Sequence, residues 1–276
     1  MSGTVFYKMT GSGNDFVMLD GRHTALAEWP AERIRAVCDR RHGVGADGFV
    51  VLAPEGPAAV RMHFFNCDGS RAPMCGNASL CSTRLSFHLG LAPADMVLVT
   101  DSGRLPSRTL VGPGERAEIH LGDFAAPKRV EDVALVSGEE SVWFAHSGGP
   151  PHVVVVVADV EGVDVAARGR ELRYHRAFAP GGANVNFVSP PTPRTGDRWP
   201  MRTYERGVEA ETLACGTGAV GCAAVLAGLG RLTPPVEFLS RGGYPLSVRL
   251  QQTPGGPVSA VWLAGEGRLV FRGILA

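Results

Sequence analysis

The feature that most constrains this chain is a repeat at half its length. Gly13-Asn14-Asp15-Phe16-Val17 returns as Gly149-Pro150-Pro151-His152-Val153, 136 positions later. Ala46-Asp47-Gly48-Phe49-Val50 returns as Asn184-Val185-Asn186-Phe187-Val188, with the two phenylalanines 138 positions apart. Met74-Cys75-Gly76-Asn77 returns as Ala214-Cys215-Gly216-Thr217, with the cysteines 140 positions apart. Matches among Gly-rich turns arise easily by chance. Three in one order at half of 276 residues point instead to two similar domains.

Each half reads as strands followed by one helix after the cysteine. Phe16–Leu19, Phe49–Leu52, Arg61–Phe65, Met96–Thr100 and Glu118–Leu121 are strands by their β-branched and aromatic content. Ala31–Asp39 and Asn77–Leu89 are helices, and Gly218–Leu229 is a helix apolar on every side, which demands burial within a sheet. The expected fold is therefore α+β. Two similar domains each wrap a mostly antiparallel sheet around a central helix, with the active site in the cleft between them. The boundary is expected near Gly122–Lys128, giving residues 1–121 with a returning C-terminal strand at about 266–276, and residues 122–265.

Composition removes several function classes. Zero formal net charge gives no field for nucleic acid or an anionic membrane. The longest apolar run, Val153–Ala158, is too short to span a bilayer, and Met1–Met9 lacks the pattern of a secretory signal. The expected setting is cytoplasmic, with reduced thiols. Only Lys8 and Lys128 could form a Schiff base, and no pair among the six cysteines has C-x-x-C spacing, so neither pyridoxal phosphate nor a metal is expected. Two G-x-G-x-x-G matches, at Gly43–Gly48 and Gly216–Gly221, lack the strand–turn–helix context of a dinucleotide site.

Cys75 and Cys215 carry the chemistry. Each precedes a small, Gly-containing turn that opens a helix, where the macrodipole and unpaired N–H groups favour a thiolate and bind a carboxylate. Two such ends fit an inversion in which one thiolate removes an α-proton and the other thiol reprotonates the opposite face. Cys38, Cys67, Cys81 and Cys222 read as packing residues.

Further stretches extend the pattern: Phe6-Tyr7-Lys8-Met9-Thr10-Gly11-Ser12-Gly13-Asn14-Asp15-Phe16, Arg41-His42-Gly43-Val44-Gly45-Ala46-Asp47-Gly48, Asn66-Cys67-Asp68-Gly69-Ser70, Pro151-His152 and Tyr204-Glu205-Arg206-Gly207. With the two cysteine motifs, the chain resembles the diaminopimelate epimerases over essentially its whole length. The resemblance implies cofactor-independent interconversion of LL- and meso-diaminopimelate, on the route to lysine and peptidoglycan. It implies Cys75 and Cys215 as the acid/base pair, with His152 and Glu205 tuning the thiols. Gly76, Asn77, Gly216 and Thr217 would hold the reacting carboxylate. Asn14, Asn66, Asn184, Glu205 and Arg206 would hold the amino groups and the distal carboxylate.

The residues alone also allow Asn14, Asn66 and Asn184 as turn formers, and His152 as a hydrogen-bonded core histidine. Three departures bear on specificity: Ala78-Ser79-Leu80 where the family continues Gly, a variable residue and Arg; Pro150 where it has Asn; and the longer spacing through Val208-Glu209-Ala210-Glu211. The alternatives are another cofactor-independent amino-acid racemase of this fold, or a non-catalytic amino-acid-binding homologue. The expected partner is a small molecule, and a homodimer is left open.

Overall fold

The computed structural model describes residues 3–112, 114–146, 149–253 and 255–275. The chain divides into two compact units, Met1–His120 with Ala264–Ala276, and Leu121–Leu263.

The first unit contains β1 (Thr4–Gly11), β2 (Asn14–Asp20), α1 (Ala31–Cys38), β3 (Gly48–Pro54), β4 (Ala59–Asn66), α2 (Gly76–His88), β5 (Asp95–Thr100), β6 (Gly103–Leu110) and most of β7 (Arg116–Phe124). The second contains β8 (Lys128–Arg129), β9 (Glu139–His146), β10 (Pro151–Val157), α3 (Val165–Arg173), β11 (Asn184–Val188), β12 (Trp199–Glu205), β13 (Ala210–Thr212), α4 (Gly216–Gly228), β14 (Val236–Leu239), β15 (Pro245–Gln252) and most of β16 (Val258–Glu266). The C-terminal β17 (Arg268–Leu275) belongs to the first unit, where it pairs antiparallel with β1. The strand expected at Glu118–Leu121 runs on to Phe124, so the unit boundary, between His120 and Leu121, falls inside β7 rather than after the strand.

The repeat is visible in the pairing pattern. In the first unit β1–β2 is antiparallel, β2–β3 parallel, β3–β4 antiparallel, β4–β5 parallel and β5–β6 antiparallel. In the second, β9–β10, β10–β11, β11–β12, β12–β14 and β14–β15 follow the same alternation. Each parallel step needs a crossover, and helices supply them: α1 and α2 in one unit, α3 and α4 in the other. Both sheets remain mostly antiparallel.

The central helices α2 and α4 are 13 residues each and are buried along most of their length. Burial on all sides explains the composition of α4, in which Val220, Cys222, Ala223, Ala224 and Leu226 leave no polar face. In α2 the corresponding positions include Ser79, Ser82, Thr83 and Ser86. Two of their hydroxyls bond back to the preceding turn, Ser79 to Cys75 O and Thr83 to Ser79 O, both at 2.9 Å.

Candidate active site

Each central helix begins immediately after a cysteine. Cys75 and Cys215 are the N-cap residues of α2 and α4, with nearly the same extended backbone (φ −138°, ψ 126° and φ −138°, ψ 104°). Their carbonyls accept from Ser79 and Ala219, which starts the helical ladder. The N–H groups of the first turn, at Gly76 and Asn77 and at Gly216 and Thr217, therefore point out of the helix end. Helix geometry leaves them without carbonyl partners in their own helix, so each end is suited to a carboxylate. Cys75 is half-buried, and Cys215 is 6% exposed.

In the first unit a tight hairpin places Asn14 beside this end. Ser12 and Gly13 both adopt left-handed backbone (φ 51° and 106°) between the paired residues Gly11 and Asn14, the geometry that best fits the twist of two flanking strands. The Asn14 amide is held on both sides. Its Oδ1 accepts from Asn77 Nδ2 at 2.7 Å, and its Nδ2 donates to Asp47 Oδ2 at 3.0 Å. Behind it lies an ion network in which Asp15 pairs with Lys8 and Arg40, both at 2.6 Å, and Arg40 also reaches Asp47 at 2.7 Å. Burial alone would raise the Asp15 carboxyl, but hydrogen bonds and charge from Arg40 and Lys8 hold it at about 2. Lys8 is committed to Asp15 and to the Gly45 carbonyl. Asn66 lies apart from this network, exposed at the last position of β4, and its Nδ2 donates across the following turn to Ser70 Oγ at 3.0 Å. Gly69 closes that turn with φ 83°, against the backbone of Ala31.

In the second unit His152 is fully buried and hydrogen-bonded at both ring nitrogens, to Thr217 Oγ1 through Nε2 (3.0 Å) and to Asn186 through Nδ1 (3.1 Å). Thr217 Oγ1 lies 3.8 Å from Cys215 Sγ. Burial, then the positive charge of His146 and Arg206, pushes His152 down to about 3, so it is neutral at ordinary pH. It is thus a satisfied core histidine and also a neighbour of the thiol through one hydroxyl. Glu205 ends β12, and its carbonyl accepts from Glu209 N at 2.8 Å. Asn184 Oδ1 accepts the Arg206 backbone N–H at 2.7 Å, so Asn184 fixes the turn that carries the Arg206 guanidinium. A side chain at position 218 would run into Asn186 Oδ1, so glycine there allows the first turn of α4 to sit against β11.

The remaining cysteines separate into two kinds. Burial pushes Cys38 up to about 12 and also raises Cys81 and Cys222 well above the usual thiol range, as expected of packing thiols. Cys67 departs from the packing reading: it is exposed in the turn after β4, since the strand ends at Asn66 and the chain reverses there. Among the described residues no group of three or more His, Cys, Asp or Glu side chains is placed to hold a metal. No helix among them is long and apolar enough to cross a membrane.

Comparison with known families places this arrangement. Residues 6–116 and 144–256 match the family model for diaminopimelate epimerase. The chain belongs to the diaminopimelate epimerase family. A diaminopimelate epimerase of Gemmatimonas aurantiaca is 44% identical over 98% of this chain and 99% of its own. That of Aquifex aeolicus is 39% identical over 98% and 97%. The fold is also that of a probable proline racemase from Agrobacterium radiobacter (TM-score 0.73, 16% identity, 99% and 93% covered). A Bacillus anthracis protein of the PhzF family shares it too (TM-score 0.73, 15% identity, complete coverage of both chains).

Against the epimerase pattern, the departures in α2 are absorbed by packing. Ala78 and Leu80 are fully buried, and Ser79 bonds back to the Cys75 carbonyl. Pro150 precedes β10 without entering its ladder. In the longer 205–212 stretch, Glu209 takes left-handed backbone (φ 57°), and its Oε1 receives Gly207 N–H at 3.0 Å and Arg173 Nε at 3.2 Å.

Sequence reasoning passed over Asp47, Arg40, Asn186 and Thr203 as site-supporting residues. For Asn186 a signal existed. An asparagine between Val185 and Phe187 in a buried strand is disfavoured unless its amide is needed.

Proposed function

We propose that this chain epimerises diaminopimelate through its two helix-capping thiols. The carrying observation is that both units, related by one topology, place a cysteine as the N-cap of a buried central helix. One cysteine, as thiolate, takes the α-proton, and the C–H electron pair moves into the carboxylate. The other, as thiol, gives its proton to the opposite face of the α-carbon, so the pair ends with thiol and thiolate exchanged. N–H groups of Gly76, Asn77, Gly216 and Thr217 bind the carboxylate, whose charge grows as the carbanion forms. Asn14, Asn66, Asn184, Glu205 and Arg206 hold the amino groups and the distal carboxylate, Arg206 gripping that carboxylate as a planar fork, and Glu205 and His152 tune the thiols. The reaction serves lysine and peptidoglycan precursor synthesis and is expected in the cytoplasm. A homodimer is supported by the exposed apolar side chains of Val5, Val270, Phe271 and Ile274 on the β1–β17 pair.

The test is exchange at the α-carbon. With LL-diaminopimelate in heavy water, wild-type protein should incorporate deuterium as meso product forms. Cys75→Ala and Cys215→Ala should each stop product formation. Binding without exchange would identify a binding protein, and exchange only with other amino acids would identify a different racemase.

A further inference from the structure

The Asn186 amide is oriented by its surroundings, and that orientation passes along the site. Nδ2 lies 3.1 Å from Val153 O, and a carbonyl can only accept, so the nitrogen must sit on that side. Oδ1 accepts from Thr203 Oγ1 at 3.0 Å. The same Nδ2 then donates its second hydrogen to His152 Nδ1 at 3.1 Å. An imidazole that accepts at Nδ1 and is neutral carries its hydrogen on Nε2. Nε2–H therefore donates to Thr217 Oγ1 at 3.0 Å, which fills a lone pair of that hydroxyl. The hydroxyl hydrogen is then not drawn to Nε2, and Cys215 Sγ lies within its reach at 3.8 Å.

Strand register builds the chain. His152 pairs with Asn184 in the parallel β10–β11 ladder, so Asn186, two residues on, shares its face, and α4 packs on that face. Asn186, Thr203 and His152 are all at most 2% exposed, so no bulk water competes for these bonds.

We propose that Asn186 is a positioning residue that, by fixing His152 as the Nε2–H tautomer, aims the Thr217 hydroxyl at Cys215 Sγ. The hydroxyl then donates to the thiolate on this side of the reaction, a charge-assisted bond stronger than the one it shares with the neutral thiol. Thr217 thus acts through its side chain as well as its backbone. This inference rests on the reading of Cys215 as an acid–base thiol. The ionisable groups facing the chain are His146 at the end of β9, Arg206 after β12, and Cys222 further along α4.

Two measurements test it without using turnover. Nitrogen-15 NMR of the imidazole should show His152 protonated at Nε2 in wild-type protein. In Asn186→Asp the carboxylate can only accept, so the hydrogen should move to Nδ1. Alkylation by iodoacetamide at neutral pH, read at Cys215 by peptide mapping, should be about tenfold slower in Thr217→Val, the loss of one hydrogen bond to a charged group. Thr217→Ser should restore the wild-type rate, and this pair decides the matter even if Asn186→Asp fails to fold. An Nδ1–H tautomer in the wild type, or equal alkylation in the valine and serine variants, would overturn the proposal. If diaminopimelate is not epimerised while both measurements come out as expected, only the functional reading fails. If it is epimerised and neither measurement moves, only this inference fails.

Discussion

Acidification from pH 7 to pH 5 should weaken the second unit by about 2 kcal/mol through His152 alone. The folded protein holds this ring at about 3 because it is wholly buried, with His146 and Arg206 adding positive charge, whereas an unfolded chain gives about 6.5. A depressed histidine favours the fold while neutral. Its contribution is therefore complete above about pH 6.5 and is lost as pH falls from there toward 3. Between pH 7 and 5 protonation favours the unfolded over the folded histidine by about 1.4 additional pK units, which at about 1.36 kcal/mol per unit is about 2 kcal/mol. Asp15 does not contribute in this window, because a carboxyl lowered from 3.8 to about 2 is ionised in both states above pH 5. His63 is shifted in the same direction at a half-exposed site, so the comparison must cancel it. Urea unfolding of wild type and His152→Gln at the two pH values does so. The wild type should lose about 2 kcal/mol more than the variant. An equal loss in both would refute the placement of His152 as a buried neutral donor.

Four further outcomes are expected. Cys75→Ala and Cys215→Ala should each lower epimerisation far more than tenfold, since tenfold is a barrier change of only about 1.4 kcal/mol; kcat/KM measured with LL-diaminopimelate decides this. Arg206→Lys should reduce the preference for diaminopimelate over lysine, read as the ratio of kcat/KM for the two, and an unchanged ratio would remove Arg206 from the distal carboxylate. Glu139→Ala should destabilise the protein by about 1.5–3 kcal/mol in urea, because it removes two 2.8 Å bonds to the buried Arg168 guanidinium, which keeps Glu171 and the Ala134 carbonyl as partners. Sedimentation of wild type should give a dimer that Phe271→Glu and Ile274→Asp convert to monomer; a wild-type monomer would remove the role given to the β1–β17 face.

Much of this molecule is written in the order of its residues. Cys75 and Cys215, 140 positions apart before matching turns, announced two related halves, and both became N-caps of 13-residue helices. The apolar run of α4 announced its own burial, and the β-branched and aromatic residues of Phe49–Leu52 and the aromatic residues of Arg61–Phe65 announced strands. These features follow from local periodicity and chain order, which a sequence carries directly.

Pairing between distant polar groups is not carried that way. Nothing in the spacing of Asn186, Thr203, His152 and Thr217 says that they form one connected series, because the β10–β11 and β11–β12 registers and the seat of α4 bring them together. Asn14 likewise reads as a turn residue until Asp47 and Asn77 are seen to grip its amide from either side. Cys67 shows the reverse case. As a residue type it favours burial, yet the end of β4 at Asn66 leaves it in a surface turn. Sequence determined several of the elements, the repeat and the place of the two thiols before their helices. Tertiary structure alone decided which buried donors meet which acceptors, since those bonds form across strands and helices whose register is set by the packed core.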